Sequence, residues 1–215
     1  MNRLFVGGDV PPRIAKLARD KRGYPVPKFV EWFDGEPNFA IVDPKHLVGC
    51  LRFDRCWICG ETLGTRKAFV IGPMCMVNRV SAEPPSHYDC ARFAALNCPF
   101  LTRPLAKRAD VSKLPEKFAP GLMIERNPGL CAIWITRTFR LFQPPGGGIL
   151  FQIGEPERIE CYANARQATR QEIDESVQSG LPILEDKAKE EGADAVREFR
   201  VYKARFDHLM ERMQL

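Results

Sequence analysis

The middle of the chain contains Cys56-Trp57-Ile58-Cys59-Gly60 and, further on, Ser86-His87-Tyr88-Asp89-Cys90. The four donors in these stretches follow the pattern C-x2-C, a gap of 27 residues, then H-x2-C. Zinc in structural sites takes four thiolate and imidazole ligands arranged as a tetrahedron. The spacing therefore predicts that Cys56, Cys59, His87 and Cys90 bind one structural zinc ion, which ties two distant parts of the chain together.

Each pair of donors has a local feature that places it. A C-x2-C turn brings two sulfur atoms together in a tight knuckle, and Gly60 directly after the turn relieves backbone strain. Pro84-Pro85 stiffens the approach to the second pair, and Ser86 is predicted to cap a helix, with Asp89 as an imperfect capping-box partner. The histidine and the cysteine of the second pair then stand three residues apart, on the same face of the first helical turn.

The ligand set keeps an alternative, because the chain has eight cysteines. Cys75 or Cys98 can replace His87 and give an all-cysteine site. Cys131 and Cys161 lie in apolar, strand-like segments, so we predict that they are small buried hydrophobic residues rather than reactive thiols.

The segment between the two pairs contains the apolar run Ala68-Phe69-Val70-Ile71, which we interpret as a returning hairpin strand. A knuckle, a hairpin and a helix with two ligands at its start resemble the treble-clef zinc-binding architecture, over residues 54–98. The wider stretch also resembles uncharacterised proteins of bacteria and their phages. That second resemblance implies a bacterial or phage cytoplasm and no particular activity. It is carried by Cys56–Gly60, Phe69–Cys75, Glu83–His87 and Cys98–Leu101.

Length and composition indicate a folded protein that stays outside the membrane. The chain has 215 residues, of which 45% are hydrophobic, and this is enough to bury a sizeable core. It has no apolar run of about 18 residues, and its start lacks the long apolar stretch of a secretory signal. We therefore expect a cytoplasmic protein, in which paired cysteines bind metal rather than form disulfides.

Catalytic motifs of comparable quality are missing from the sequence. A treble-clef nuclease needs a histidine on the hairpin strand, and residues 69–73 contain none. A zinc deaminase needs H-x-E before P-C-x2-C, whereas His87 follows the paired cysteines here. The glycines at 146–148 lack the Lys-Ser/Thr of a P-loop and are predicted to connect two strands. We therefore predict no catalytic residue, and we interpret His46 and His208 as structural or surface residues.

Positive charge is concentrated before residue 155. Residues 1–154 carry 22 Lys and Arg against 13 Asp and Glu, a net of +9, whereas residues 155–215 have a net charge of −4. Clustered Lys and Arg contact phosphates, and bases stack on exposed aromatic side chains. We therefore predict that the basic residues in and after the zinc module contact nucleic acid, with solvated surface charge as the alternative. These residues are Arg66, Lys67, Arg79, Arg103, Lys107, Arg108, Lys113 and Lys117.

A second polar cluster precedes a helix predicted to begin near Thr169. Arg166, Thr169 and Arg170, together with free backbone N–H groups at a helix start, can hold a phosphate or carboxylate. Helix capping is the alternative, because Thr169 and Glu172 have the spacing of a capping box.

The flanking segments carry standard helix and hairpin signals. A helix is marked by Pro11-Pro12 at its start and Gly23 after its end. Asp34-Gly35 between two apolar runs marks a hairpin. Asp43-Pro44 marks the start of another helix. They predict a basic helix over residues 12–22, a hairpin of residues 29–33 and 39–42, and a helix over residues 43–52.

The part after residue 120 is predicted to be a sheet followed by helices. Apolar residues from Cys131 to Leu141 alternate onto one face, and Ile149–Ile153 begins the next strand. Gly180 and Gly192 end two tail helices. The last helix has an apolar stripe, which we expect to dock on the sheet or on the preceding helices, with a partner-binding or dimer face as the alternative. The stripe comprises Val196, Phe199, Tyr202, Phe206, Leu209 and Met213.

Together these signals predict an α+β protein with a treble-clef-like zinc module, a small antiparallel sheet and a helical C-terminal tail. The first functional hypothesis is a zinc-stabilised, non-enzymatic protein that binds nucleic acid. The alternatives are an enzyme acting on a nucleotide or nucleic acid, and a protein-interaction factor that inhibits a host complex. The predicted segments are a helix and hairpin (1–53), the zinc module (54–100), a basic connector (101–120), the sheet (121–162) and the helical tail (163–215). In the alternative division, residues 54–215 form one compact domain.

Overall fold

Three segments of the chain are described by the computed structural model, namely residues 9–102, 129–144 and 147–213. Most of the basic connector predicted for residues 101–120 lies outside them. The same is true of five predicted nucleic-acid contacts: Arg103, Lys107, Arg108, Lys113 and Lys117.

Helices and antiparallel strands make up the described segments, so the predicted mixture of helix and sheet is confirmed. The part before residue 103 contains α1 (Pro12–Ala15), β1 (Val30–Phe33), β2 (Glu36–Val42), α2 (Pro44–Phe53), β3 (Lys67–Ile71), α3 (Pro73–Asn78), β4 (Val80–Ser81), α4 (Tyr88–Asn97) and α5 (Pro99–Thr102). The part after residue 128 contains β5 (Cys131–Thr136), β6 (Phe139–Phe142), β7 (Leu150–Ile153), β8 (Arg158–Ala163), β9 (Arg166–Gln167), α6 (Arg170–Gln178), α7 (Leu181–Glu191) and α8 (Ala193–Arg212).

The first helix is much shorter than predicted, because α1 ends at Ala15 rather than at Arg22. The Asp20 carboxylate accepts hydrogen bonds from the backbone N–H groups of Arg22 and Tyr24, at 2.9 Å each. An aspartate that bonds its own neighbouring backbone offers these groups an alternative to a helix. The segment after α1 is therefore a turn, and the prediction of a helix through Arg22 is wrong.

The hairpin and the second helix have the predicted positions. Strands β1 and β2 pair antiparallel, and Asp34 and Gly35 between them have φ angles of 47° and 80°. Two successive residues with positive φ are typical of the tight turn that matches strand twist. The Asp43 side chain accepts from the Lys45 N–H at 2.8 Å, which caps α2 as expected.

The strands after residue 120 belong to two sheets rather than one. One sheet has the order β3-β5-β8-β9 and the other β4-β7-β6, with antiparallel neighbours throughout. The predicted single alternation from Cys131 to Leu141 is therefore wrong. The Thr136 hydroxyl accepts from the Thr138 N–H at 3.3 Å and donates to the Glu155 carbonyl at 2.8 Å, so the chain turns there and enters the second sheet. Leu141 is consequently exposed.

Strand β5 is buried on both faces and lies at the centre of the fold. Cys131, Ile133 and Ile135 pack with alanines of α4 in one cluster. Trp134, on the opposite face, belongs to a larger core that also contains Phe206 and two further residues of α8. The apolar stripe of the last helix is thus used inside the fold, as the preferred interpretation predicted.

The tail helices follow the predicted boundaries. Thr169 and Glu172 form a reciprocal capping box at the start of α6, and the Glu172 carboxylate accepts from the Thr169 N–H at 2.8 Å. Gly192 separates α7 from α8 with a φ of 112°, which glycine adopts readily. No helix within the three described segments combines the length and the apolar character needed to span a bilayer.

Gly154 offers a test of how tightly the chain packs where β6 and β7 meet the end of β5. A Cβ atom at this position would overlap the side-chain and main-chain oxygens of Thr138 and lie 3.0 Å from Thr136 Oγ1. We expect Gly154→Ala to lower the free energy of unfolding by about 1–3 kcal/mol, because backbone must shift. The midpoint of urea unfolding measures this change.

Gly64→Ala is the matched control, because nothing lies within 4 Å of its added Cβ. We expect it to change the free energy of unfolding by less than about 0.5 kcal/mol. Equal midpoints for both variants would contradict the close contact at Thr138.

Candidate metal centre

The first donor pair lies in a tight turn that closes on itself. The Cys56 carbonyl accepts from the Gly60 N–H at 2.9 Å, and the Cys56 N–H donates to the Glu61 carbonyl at 2.8 Å. Gly60 has a φ of 78°, which side chains rarely tolerate. Cys56 Sγ also accepts from the Cys59 N–H at 3.5 Å. The turn thus aims both sulfur atoms to the same side, as the knuckle prediction required.

The second donor pair lies at the start of α4. His87 is the N-cap residue and makes no side-chain capping bond, so the prediction that Ser86 caps this helix is wrong. The Ser86 backbone instead forms an isolated antiparallel bridge with Ala68 in β3, with hydrogen bonds of 2.8 and 2.9 Å. This bridge leaves His87 and Cys90 on the first turn of α4, facing the knuckle.

The four predicted donors meet in one cluster. One ligand atom from each of Cys56, Cys59, His87 and Cys90 lies within 4.8 Å of all the others. His87 Nδ1 lies 3.4 Å from Cys59 Sγ and 4.0 Å from Cys90 Sγ. Sulfur ligands of a tetrahedral zinc ion, each about 2.3 Å from the metal, are about 3.8 Å apart. The cluster therefore has the size that a four-coordinate metal ion requires.

The imidazole of His87 is held in the tautomer that a metal ligand needs. Its Nε2 lies 3.0 Å from the carbonyl oxygen of Thr62, and a carbonyl can only accept a hydrogen bond. Nε2 therefore carries the proton, and Nδ1 presents its lone pair to the three sulfur atoms. Histidine ligands of metals commonly donate their second N–H to such an acceptor, which fixes the ring orientation.

The three thiols depend on one another electrostatically. Hydrogen bonds from the Cys59 and Cys90 thiols lower the pKa of Cys56 well below its usual range. The hydrogen bond with Cys56 raises the pKa of Cys59 to about 11, and hydrogen bonds with Cys56 and Cys59 raise that of Cys90 further still. Buried thiolates at this spacing repel one another, so without a cation only one of them ionises easily. A bound metal ion would remove that repulsion and deprotonate all three.

A short segment near the N-terminus covers the cluster, which the sequence analysis did not predict. Ile14 and Leu17 pack against the three cysteines in a buried apolar cluster. Arg13 forms ion pairs of 3.1 Å with Asp89, beside Cys90, and with Glu61, beside the knuckle. The apolar spacing of Ile14 and Leu17 was the available signal, but nothing in it named the surface they would cover.

The knuckle is also held from the side by aromatic stacking. The Trp57 ring stacks on Phe29 with centroids 4.8 Å apart and on His46 with centroids 5.6 Å apart. His46 Nε2 lies 2.8 Å from the Trp57 carbonyl oxygen, to which it donates. His46 thus has a structural place beside the knuckle, and His208 lies exposed on α8.

The alternative ligands lie outside the cluster. Cys75 is in α3, packed against the large core, and Cys98 is the C-cap residue of α4. Neither belongs to the group of donors, so the set is Cys3His in the described part of the chain. Cys131 and Cys161 are buried in β5 and β8, as predicted.

The predicted basic contacts within the described segments are paired with carboxylates. Lys67 is buried and bonds to the Asp54 carboxylate and to the Gly64 carbonyl. Arg66 pairs with Glu157 at 2.7 Å, and its side chain is 67% exposed. Arg79 pairs with Glu155 at 2.5 Å and is only 14% exposed. Arg66 is therefore the most accessible of the three.

The candidate anion site before α6 is also occupied by internal contacts. Arg166 forms a two-pronged ion pair with Glu172, with distances of 2.7 and 2.8 Å. Hydrogen bonding to Arg166 lowers the pKa of Glu172 to about 2. Arg170 pairs with Asp174 at 2.9 Å, and Thr169 caps the helix. The structure places these residues together and joins each of them to a carboxylate.

The path of the chain around the cluster differs from a simple knuckle, hairpin and helix. Strand β3 pairs along its length with β5, and α3 and β4 intervene before the chain returns to Ala68 at Ser86. The predicted local hairpin is therefore reduced to one bridge. Comparisons with protein-family models, with curated proteins and with solved structures found no match to this chain. A treble-clef assignment thus has no support beyond the donor cluster itself.

The cluster predicts a metal content that substitution can test. We expect about one metal ion per purified chain, and loss of that ion in Cys56→Ser and Cys90→Ser, because three donors bind far more weakly than four. Elemental analysis of desalted protein measures the content. Cys98→Ser is the matched control and should retain the metal, and His87→Cys should retain it through a fourth thiolate. Metal lost equally from Cys98→Ser and Cys56→Ser would contradict the assigned ligands.

Proposed function

We propose that this chain is a zinc-stabilised binding protein without catalytic activity, and that its basic N-terminal two-thirds contacts nucleic acid. The convergence of Cys56, Cys59, His87 and Cys90 carries the first part of this proposal. The distribution of charge and the exposed aromatic residues of the β1–β2 hairpin support the second part.

The donor set favours zinc over other metals. Three thiolates and one imidazole are soft or borderline ligands, which magnesium and calcium avoid. All four positions of a tetrahedral ion would be filled by protein, so no position stays open for water or substrate. Catalytic zinc needs such an open position, and a closed set is therefore typical of a structural ion. The eight cysteines are all free thiols, which fits a reducing compartment such as the cytoplasm.

Nucleic-acid contact is supported by charge and by aromatic exposure. Trp32, Phe33 and Phe39 on the β1–β2 hairpin are 39%, 51% and 48% exposed. Exposed rings of this kind stack on bases, while lysines and arginines neutralise phosphates. Arg66 is exposed in the same two-thirds of the chain, and its surface ion pair is weak enough for a phosphate to compete.

Two other hypotheses have less support. The enzyme hypothesis used Arg166 and Arg170, whose guanidinium groups are engaged by Glu172 and Asp174. The interaction hypothesis used the stripe of α8, whose Phe206 and Leu209 are buried in the core. The exposed β1–β2 hairpin is the feature that still favours a protein partner, since apolar patches often mark such surfaces.

Removal of the metal should loosen the fold. We expect a strong chelator to lower the melting temperature by roughly 10 °C or more, because the cluster joins the N-terminal segment, the knuckle and α4. Added zinc should restore the original melting temperature, and magnesium should not, because it prefers oxygen ligands. An unchanged melting temperature in protein shown by elemental analysis to be metal-free would rule out a structural role.

Nucleic-acid binding should depend steeply on salt. We expect a fluorescent single-stranded oligonucleotide to bind the metal-loaded protein at low salt. The logarithm of the association constant should fall linearly with the logarithm of the salt concentration. Lys107→Ala with Arg108→Ala should weaken binding and reduce the slope by roughly one to two, since two phosphate contacts are lost. Fluorescence anisotropy measures both quantities.

Lys187→Ala with Lys189→Ala provides the control, because it removes the same charge from the acidic tail. Its affinity and slope should match those of the unmodified protein. Absence of binding at low salt would end the nucleic-acid proposal, and the exposed hairpin would then be assigned to a protein partner.

A further inference from the structure

A cleft between the second sheet and the last helix contains more positive than negative charge. It encloses about 450 Å³, a volume within the range of small-ligand sites. Its walls come from the end of α3, from β6 and β7, from residues 154–155 and from α8. Among the described residues, Arg79, Arg140 and Arg205 line it together with one carboxylate, that of Glu155.

Only one of the three arginines is neutralised by a carboxylate of the described segments. Arg79 pairs with Glu155, whereas the side chains of Arg140 and Arg205 make no ion pair or hydrogen bond with any residue of the described segments. The described lining residues thus carry an excess of two positive charges. Glu155 itself is 72% exposed, so an incoming anion can displace it without unfolding the wall.

Arg79 is fixed before any ligand arrives. Its carbonyl accepts from the Ile153 N–H at 2.8 Å and from the Gln152 side chain at 3.2 Å. Its Nε donates to the Ile153 carbonyl at 3.2 Å, and its guanidinium lies 5.9 Å from the Trp134 ring centre. Nη2 makes no hydrogen bond to a residue of the described segments, so one terminal nitrogen is left for an anion. The backbone of Arg79 has a φ of 57°, an uncommon value that the surrounding bonds maintain.

The wall beside Arg79 is also held by hydrogen bonds. The Gly154 N–H donates to the Thr138 carbonyl at 2.9 Å, and the Gly154 carbonyl accepts from the Trp134 indole at 3.0 Å. The Thr136 hydroxyl holds the Glu155 carbonyl at 2.8 Å. Bonds on each side of Gly154 hold this wall in place, so ligand binding needs little ordering of residues 154 and 155.

We propose that this cleft binds the phosphate of a nucleotide unit through Arg79, Arg140 and Arg205. Guanidinium groups present planar forks that match phosphate oxygens and bind them through paired hydrogen bonds. Phe139 and Tyr202 line the same cavity, so a base bound there would contact aromatic side chains. The site goes beyond the proposed function, because it is lined by none of the four metal donors and is not built from the connector after residue 102. Arg79 is the one residue that the two proposals share.

Adenosine 5′-monophosphate and adenosine distinguish phosphate recognition from binding of the base alone. We expect the monophosphate to bind the metal-loaded chain in isothermal titration calorimetry at low salt, and adenosine to bind at least about tenfold more weakly. Arg205→Ala and Arg140→Ala should each lower the affinity for the monophosphate by about tenfold. Glu155→Gln should raise the affinity for the monophosphate several-fold, because the competing carboxylate charge is removed.

Arg200→Ala is the matched control, because it removes the same charge from the exposed surface of α8 outside the cleft. Its affinity for the monophosphate should stay unchanged, as should that of the Lys107→Ala, Arg108→Ala protein. The proposal fails if the monophosphate does not bind, or if Arg205→Ala and Arg200→Ala behave alike. Failure of oligonucleotide binding alone would leave it intact, so the two proposals are tested separately.

Competition identifies the source of the nucleotide unit. A single-stranded oligonucleotide that displaces the monophosphate from the unmodified chain, and loses affinity in Arg205→Ala, places a nucleic-acid strand in the cleft. An oligonucleotide that leaves the monophosphate bound assigns the cleft to a free nucleotide. Both results support phosphate recognition by the three arginines.

Discussion

Three sulfur atoms and one imidazole nitrogen meet within 4.8 Å of one another, and the start of the described chain packs around this point. Ile14 and Leu17 cover the cluster, and Arg13 bonds to acidic residues on both of its sides. Thiols this close cannot all ionise without a cation, whereas a bound metal ion stabilises all three thiolates together. A divalent metal would therefore stabilise the packing of a segment whose own helix has only four residues.

The sequence was most informative where a structure depends on near neighbours. The C-x2-C turn, the first turn of α4 and the capping box at Thr169 each involve residues within about one helical turn, and all three are present, although His87 rather than Ser86 is the N-cap of α4. Asp43 caps α2 for the same reason. The donor pairs could be matched to each other because few combinations of soft ligands satisfy a tetrahedron.

Long-range pairing was beyond the same reasoning. Strand β3 pairs with β5, more than 60 residues further on, and its apolar sequence fits a local hairpin equally well. Lys67 looked like a surface cation, yet it is buried against Asp54, a residue beside the knuckle. The turn after α1 depends on the side chain of Asp20, which competes with a helix that the prolines and Gly23 favoured. In each of these three cases the observed structure depends on a contact with a particular partner. The residue types allow that contact but do not identify the partner.

The metal centre and the arginine cleft are linked by the course of the chain. The bridge between Ala68 and Ser86 closes a loop that contains α3, Arg79 and β4, and the second donor pair begins directly after this bridge. The loop is joined to β7 at its far side, where the Arg79 carbonyl accepts from Ile153. A metal ion that holds His87 against the knuckle therefore fixes one end of the loop, and the second sheet fixes Arg79. Because closing a loop costs conformational entropy, an ion at its end favours the order of the whole segment, including the residue that the cleft requires.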